Sequence, residues 1–405
     1  MSVSVAWPHH LTDQLASLVG PEHLRIDSET ALTISPANTA QVSGILAFAH
    51  EHRLSVCPHG AGTKQTWGQG KTPSIFLSLA RLNRVIEHPW QDLTCTVQAG
   101  CNWAALQQTL AAHGQFVALD PLFEDRATVG GVVSANDSGA LRHRYGSLRD
   151  LVIGMTLVLA DGTIARAGGK VVKNVAGYDL CKLMTGSLGT LAIITEVNFR
   201  LHSLPRHTRH FTVAAPKASL LAGLVASIRA SHLLTQSLQL RSSASGCFLG
   251  IRLNAHPQAE QEEILAQMTR AENLELAECG EELWGTRDSL FAPEATVLRI
   301  STPPDQVCAF VDELQLSYTD LEVHTIAQAF GLCDVALHGA PEIITDAIRR
   351  LRADADTTVA VLQLGPGVEA PAFEIAAPVL SLMQAVKHKF DPESLLGPGK
   401  FFREA

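Results

Sequence analysis

The apolar run Leu54-Ser55-Val56-Cys57 leads directly into Pro58-His59-Gly60-Ala61-Gly62-Thr63-Lys64, and this junction constrains the chain more than any other stretch. The run reads as the end of a buried strand. The glycines let successive backbone N–H groups converge on an anion with no Cβ in the way. Such a turn suits a pyrophosphate. It is not a Walker A loop, which needs G-x-x-x-x-G-K-[ST]. Nor is it G-x-G-x-x-G opening a helix, because Thr63-Lys64-Gln65-Thr66-Trp67-Gly68-Gln69-Gly70 follows with no helical period. An anion here would be held by a loop and not by a helix N-terminus. Taken alone, the segment is equally compatible with a plain glycine-rich turn after a strand.

With 405 residues the chain has room for about two or three domains. A hydrophobic fraction of 46% against 18% charged predicts a globular chain with a large core. The net charge of −9 argues against nucleic acid as a partner. The eight cysteines (57, 95, 101, 181, 247, 279, 308 and 333) contain no C-x-x-C, the pattern of reduced cytosolic thiols. It gives no iron–sulfur or metal site within the chain. No basic pairing singles out a redox-active thiol among the cysteines; Cys181, beside Lys182, comes nearest. Met1–Pro8 lacks a basic segment followed by a long apolar one, so no signal peptide is expected. The apolar stretch Leu220–Ile228 is far too short for a membrane span. The expected location is cytoplasmic, with any membrane association through a partner.

Asn38-Thr39 precede a helical pattern over Ala40–His52 whose face is Val42, Ile45, Leu46 and Ala49. Ile75–Leu79 and Thr94–Val97 read as buried strands, and Asn102 caps a helix stopped at Gly114. This opening reads as an α+β layer arrangement. Val152–Leu159, Asp161-Gly162 and Thr163–Ala167 form a hairpin pattern with a type I′ signal. Thr190–Phe199 is a further long strand. Hairpins here imply antiparallel pairing, unlike a pure Rossmann sheet. Around Pro205, a basic cluster marks an interdomain connection; its His207 and His210 have metal-ligand spacing, although a solvated basic strand edge accounts for them better. Residues 211–385 alternate strands (Leu238–Arg241, Phe248–Leu253, Val359–Leu364) with helices (Ala218–Ala230, Pro257–Ala271, Pro304–Leu316, Pro341–Ala353), as a separate α+β domain would. The turn-rich Phe390–Lys400 reads as a strap folding back on the site.

Three further segments join the first turn. Asp120-Pro121 continues to the small-residue stretch Ala127–Gly139, where a flat ring can lie close to the backbone. Arg142-His143-Arg144 precedes a strand. Lys170-Val171-Val172-Lys173-Asn174-Val175-Ala176-Gly177-Tyr178-Asp179-Leu180 leads to Gly186-Ser187-Leu188-Gly189-Thr190. Together they resemble the FAD-binding domain of the vanillyl-alcohol oxidase and p-cresol methylhydroxylase type. They look most like the D-2-hydroxyacid dehydrogenase and glycolate oxidase branch, and within it the FAD-binding subunits of bacterial glycolate oxidases. Members carry P-x-G-x-G-T, T-x-G-G followed by a later Gly, K-N-x-x-G-Y-D-L, G-S-x-G-T and a C-terminal F-D-P…P-G-K, in this order.

The resemblance implies an α+β fold: a p-cresol methylhydroxylase-type FAD-binding domain over 1–204, built of subdomains at about 20–115 and 116–204. A cap domain over 205–385 and a strap over 386–405 follow. It implies FAD, held non-covalently, because relatives that attach FAD through a histidine of this loop carry it nearer the position of Thr63. Pro58, His59, Gly60, Ala61, Gly62 and Thr63 would cradle the pyrophosphate, with charge-assisted bonds of about 1.5–3 kcal/mol each. Pro121, Thr128, Gly130, Gly131, Ser134 and Gly139 would line the pyrophosphate and flavin edge. Gly189, Thr190 and Ile194 would meet the adenine and ribose half, and Lys400 would stand near the flavin, where a cation stabilises the anionic reduced ring. Arg142, Arg144 and Lys400 are candidates for holding a substrate carboxylate. The implied partners are a larger FAD-binding catalytic subunit and an iron–sulfur subunit.

The sequence also departs from the pattern. The late Glu-His-Gly and paired-histidine motifs of catalytic relatives are missing; His324 is isolated, and His338-Gly339 lacks a preceding Glu. Leu188 stands where a carboxylate is usual, and Gly397 where Asn is usual before Pro-Gly-Lys. Two readings follow: an FAD enzyme that oxidises glycolate and related D-2-hydroxy acids, and an accessory flavin subunit whose partner carries the substrate chemistry. UDP-N-acetylmuramate dehydrogenase shares the fold but matches poorly in its C-terminal domain.

Overall fold

The computed structural model of the chain describes residues 7–169, 178–254 and 258–401. The chain divides into two compact units. The first takes residues up to 137, 147–204 and from 375 onward; the second takes 138–146 and 205–374. The helix Ala377–Phe390, together with the segment expected as a strap over 386–405, is counted in the first unit. The short stretch 138–146 leaves the first unit for the second.

In the first unit, a four-stranded sheet runs in the order Leu24–Ile26, Leu32–Ile34, Ile75–Ser78, Val56–His59. Ile75–Ser78 pairs in parallel with both of its neighbours. Each parallel return needs a crossover, and the helix Thr39–Glu51 supplies one. Its N-terminus is fixed by Asn38, whose side chain accepts from Gln41 N at 2.9 Å. The helix buries Val42, Ile45, Leu46 and Ala49, the face read from the sequence.

A second, five-stranded antiparallel sheet has the order Val85–Glu87, Thr94–Gln98, Ile193–Arg200, Val152–Val158, Ile164–Gly168. Its strands come from both sides of residue 115, so the expected division at 115/116 cuts through this sheet. One continuous core joins both sheets, with Trp103 and Phe199 among its largest fully buried side chains. Sequence-local patterns end domains at turns, whereas here a strand from one segment is completed by partners a hundred residues away.

The hairpin at Asp161-Gly162 is present, but its turn is not type I′. Gly162 has φ +88° whereas Asp161 is not left-handed. Leu159 N donates to Thr163 O at 2.9 Å, closing a longer loop, and Asp161 accepts from both N and Oγ1 of Thr163. A longer loop needs only its last residue left-handed. A Cβ on Gly162 would lie 2.7 Å from Ser43 O. Gly162→Ala is expected to destabilise the first unit by about 1–3 kcal/mol, read by urea unfolding. A variant as stable as the parent would show that the turn relaxes at no cost.

The second unit is an eight-stranded antiparallel sheet, in the order Leu276–Glu278, Thr208–Ala215, Gly246–Asn254, Thr235–Ser243, Glu322–Gln328, Leu332–His338, Thr296–Ser301, Thr358–Gln363. The helices Ala222–Ala230, Gln258–Ala271, Val307–Ser317 and Pro341–Ala353 share its main core. Alternate strand residues, including Val297, Ile326 and Ala336, form a smaller core with Leu290 and Ala295 on the opposite face. The helices fall close to their expected spans. His210 lies in the strand Thr208–Ala215 and accepts at Nδ1 from Trp284 Nε1 at 2.7 Å, a packing role.

Candidate functional site

The site is built where the strand Val56–His59 ends. Pro58 and His59 finish the strand, and Gly60 turns the chain out of the sheet. The backbone N–H groups of Gly60, Ala61, Gly62 and Thr63 have no acceptor among the described residues. Successive unsatisfied amides of this kind form an anion-binding concavity. Thr128 faces the turn so closely that a Cβ on Gly60 would lie 2.1 Å from its Oγ1. Gly189, at φ +73°, leaves room for Pro58, whose Cγ would lie 2.4 Å from a Cβ there. Only glycine at 60 and 189 keeps this cradle open.

Two small adjoining cavities of about 60 and 50 Å³ lie along the turn. Pro58, His59, Gly60, Thr128, Gly131 and Ser134 line both. Ala61, Gly62, Thr63 and Lys400 line the first; Gly130, Gly189 and Ile194 line the second. These residues, expected from the sequence, are thus brought together.

Others lie elsewhere. Thr190 is buried with its hydroxyl on Ser187 O, and it contributes a carbonyl to the strap. Pro121 is buried and lines neither cavity. Gly139, Arg142 and Arg144 belong to the second unit, where Arg142 stacks on Phe330 at 5.2 Å and Arg144 is exposed. Residues 170–177, most of the K-N-x-x-G-Y-D-L pattern, lie outside the described residues.

Lys400 is 7% exposed and donates from Nζ to Gln65 O and Trp67 O, each at 2.8 Å. Gly68 and Gly70 make room for it: a Cβ on Gly68 would lie 2.7 Å from Lys400 O, and one on Gly70 3.2 Å from Lys400 Cγ. The strap itself is tied by Val56 N to Leu395 O (2.8 Å) and Gly397 N to Val56 O (2.9 Å). Burial holds the Lys400 ammonium below its usual pKa, with the Cys57 thiol opposing. Between the lowered value and 10.5 the unfolded chain binds more protons, so this group's contribution to stability rises with pH across that window. Wild type is therefore expected to gain stability relative to Lys400→Met between pH 7.5 and the alkaline end of the window, read by denaturant unfolding. A difference that moves the other way would show a lysine stabilised as a cation.

Sequence reasoning missed a second buried cation. Lys64 Nζ donates to Leu122 O at 3.0 Å and lies 3.3 Å from Asp137 Oδ2, with side chains 6% and 0% exposed. Asp137 also accepts from Leu122 N at 2.7 Å. The pair ties the end of the glycine turn to the stretch carrying Thr128 and Ser134. Both residues stood inside the recognised segments, but only the fold shows them paired. Leu188 was noticed only as a lost carboxylate; it lines both cavities at φ +52°, its N–H on Ser134 O.

Burial lowers the His59 pKa, so the ring is neutral at pH 7. Cys181 is buried and its thiol is pushed up to about 11, chiefly by desolvation, which makes it a poor nucleophile.

Residues 30–168 match the family described as FAD binding domain. The whole chain also superposes on p-cresol methylhydroxylase with a TM-score of 0.75 at 14% identity, covering 97% of this chain and 96% of that one. The chain has the fold of p-cresol methylhydroxylase, and residues 30–168 match an FAD-binding domain. Over 91% of its length it is 29% identical to glycolate oxidase subunit GlcD of Bacillus subtilis, covering 88% of that relative. It is 27% identical to a mitochondrial D-lactate dehydrogenase [cytochrome] of Arabidopsis thaliana, over 91% of this chain and 73% of that one. The open glycine cradle and its four free amides fit the pyrophosphate of FAD. Among the described residues no group of three or more His, Cys, Asp or Glu side chains is placed to hold a metal ion. No helix of the described residues is long and apolar enough to cross a membrane.

Proposed function

We propose that this chain is the FAD-binding subunit of a glycolate oxidase complex that converts glycolate, and related D-2-hydroxy acids, to the 2-oxo acid. The observation that carries the reading is the free-amide turn Gly60–Thr63 beside Thr128, set in a chain aligned almost end to end with a glycolate oxidase subunit. Glycolate and D-lactate, the acids in the relatives' names, are both 2-hydroxy acids.

Bound FAD would supply the acceptor for the hydride leaving the α-carbon. The chain's part begins with binding. The amides of Gly60–Thr63 hold the diphosphate charge, and Gly130, Gly131 and Ser134 present a surface without bulky side chains. Gly189 and Ile194 serve the adenosine half. Lys400 stands as a fixed cation at the cradle and would favour negative charge developing there. Arg142 and Arg144 remain the candidates for the substrate carboxylate. His59 binds no flavin covalently in this reading.

Partners of the complex are a larger FAD-binding subunit and an iron–sulfur subunit, and the complex works in the cytoplasm, at a membrane only through them. A second reading is favoured by one observation. His324, the isolated late histidine, is held by Glu322 at 2.8 Å and packs edge-on against His338, and neither belongs to a metal-ligating group among the described residues. On that reading the chain is an accessory flavin subunit and its partner oxidises the acid.

An anaerobic visible spectrum of the isolated holoprotein, taken before and after glycolate or D-lactate, decides between them. Bleaching of the flavin supports the first reading. A flavin that stays oxidised with both acids, but bleaches with glycolate in the assembled complex, establishes the second. A flavin that neither acid bleaches in either form overturns both.

A further inference from the structure

The second unit holds a cavity of about 570 Å³ on the sheet face opposite its helices, within the size range of small-ligand sites. Arg241 lines it from the strand Thr235–Ser243, in register with Phe248 on one neighbouring strand and Ile326 on the other. Its guanidinium is half-buried and has no hydrogen-bond or ion-pair partner among the described residues. Burial alone lowers its pKa, with no carboxylate to oppose the effect. His324 and His338 stand on the same wall, rings 6.0 Å apart, and the Ser243 and Ser245 hydroxyls meet at 2.8 Å at the hairpin end. No Asp or Glu lines the cavity. Of the acids on the neighbouring strands of this face, Glu322 is engaged by His324, and Asp334, in register with Ile326, is paired with Arg287 and Arg299. Leu283, Leu290 and Ala336 make the remaining wall apolar.

A half-buried guanidinium without a counter-charge costs stability, and its planar fork matches a carboxylate or phosphate. The apolar wall opposite suits a compact hydrocarbon body. We propose that this cavity binds a small organic anion, its charged group on Arg241 with the Ser243 and Ser245 hydroxyls beside it, and its apolar body against Leu283 and Leu290. The site lies wholly in the second unit and does not depend on the flavin reading.

Calorimetric titration of the holoprotein with benzoate, phenyl phosphate and benzamide tests it. Saturable binding is expected for at least one of the two anions and none for benzamide, which lacks the charge. The tighter of benzoate and phenyl phosphate identifies the preferred group. Arg241→Met is expected to weaken binding at least about tenfold, with flavin content unchanged. Phe248→Asp, at a 41% exposed position facing Arg241 across the strand pair, places a carboxylate on the guanidinium and is expected to abolish binding even if Arg241→Met fails to fold. Absence of saturable binding of either anion to wild type, or equal binding in wild type and the variants, overturns the proposal.

Discussion

Gly60→Val is expected to fold and to purify with little or no flavin. The reason is local. At Gly60 the first atom of any side chain would fall 2.1 Å from Thr128 Oγ1 and 2.9 Å from its Cγ2. Either Thr128 moves or the turn does, and overpacking of this kind costs about 1–3 kcal/mol. Any shift of the turn misaligns the amides of Gly60, Ala61, Gly62 and Thr63. Losing two charge-assisted bonds of about 1.5–3 kcal/mol each corresponds to more than a hundredfold in FAD affinity. Gly62→Ala is the informative control. At Gly62 a Cβ would meet nothing closer than 3.9 Å, so only the φ of +76° resists substitution. That variant should lose far less flavin. The ratio of flavin to protein absorbance after purification reads both. Full flavin content in Gly60→Val would show that the cofactor does not lie in this turn.

The second large effect concerns the strap. Asp391 is fully buried and ion-paired with Lys387, and it accepts from Leu395 N at 3.0 Å and Leu396 N at 2.7 Å. Lys387 also donates to Thr190 O and Leu396 O, each at 2.8 Å. A carboxylate and an ammonium thus organise one turn of chain and fasten it to the Gly186–Thr190 loop. Asp391→Ala leaves Lys387 buried without its counter-charge and two amides without an acceptor. Breaking such a pair costs about 3–5 kcal/mol. Because Leu395 and Gly397 exchange hydrogen bonds with Val56, the loss reaches the strand that feeds the glycine turn. We expect early proteolytic cleavage near residues 391–400 and a lowered urea midpoint for the first unit. Asp391→Asn, which keeps acceptor oxygen, should lose less. A strap as protease-resistant in Asp391→Ala as in wild type would contradict this account.

Which residues meet at the glycine turn was more legible than the strand order of the sheets that carry them. Gly60, Gly131 and Lys400 declare themselves because backbone exposure and chain return leave local signatures: glycines in sequence, prolines fixing a path. Gly68 and Gly70 carry no such signature, because their role is to admit Lys400, whose bond to Gln65 spans 335 residues of chain, and they are explained only once the strap is in place. Thr190 belonged to a recognised motif, yet its carbonyl serves Lys387 and not the cavity. The buried pair Lys64 and Asp137 is a tertiary contact between two segments that were each read separately. In the second unit the helices were legible from their period. The strand Thr296–Ser301 was not, because its first three residues are buried on both sheet faces, and Thr208–Ala215 was not, because its basic start reads as part of a connection although burial alternates from Phe211 to Ala215. The hairpin at Gly162 was found, but not its turn type, since Asp-Gly also suits a longer loop.

The measurement that tests the central claim most directly is the flavin content of the purified chain before and after acid precipitation. The account predicts about one FAD per chain, released to the supernatant by acid as expected for a cofactor held only by backbone amides and packing. A colourless protein that takes up no added FAD would contradict the cradle at Gly60–Thr63, and a yellow pellet would contradict its non-covalent hold.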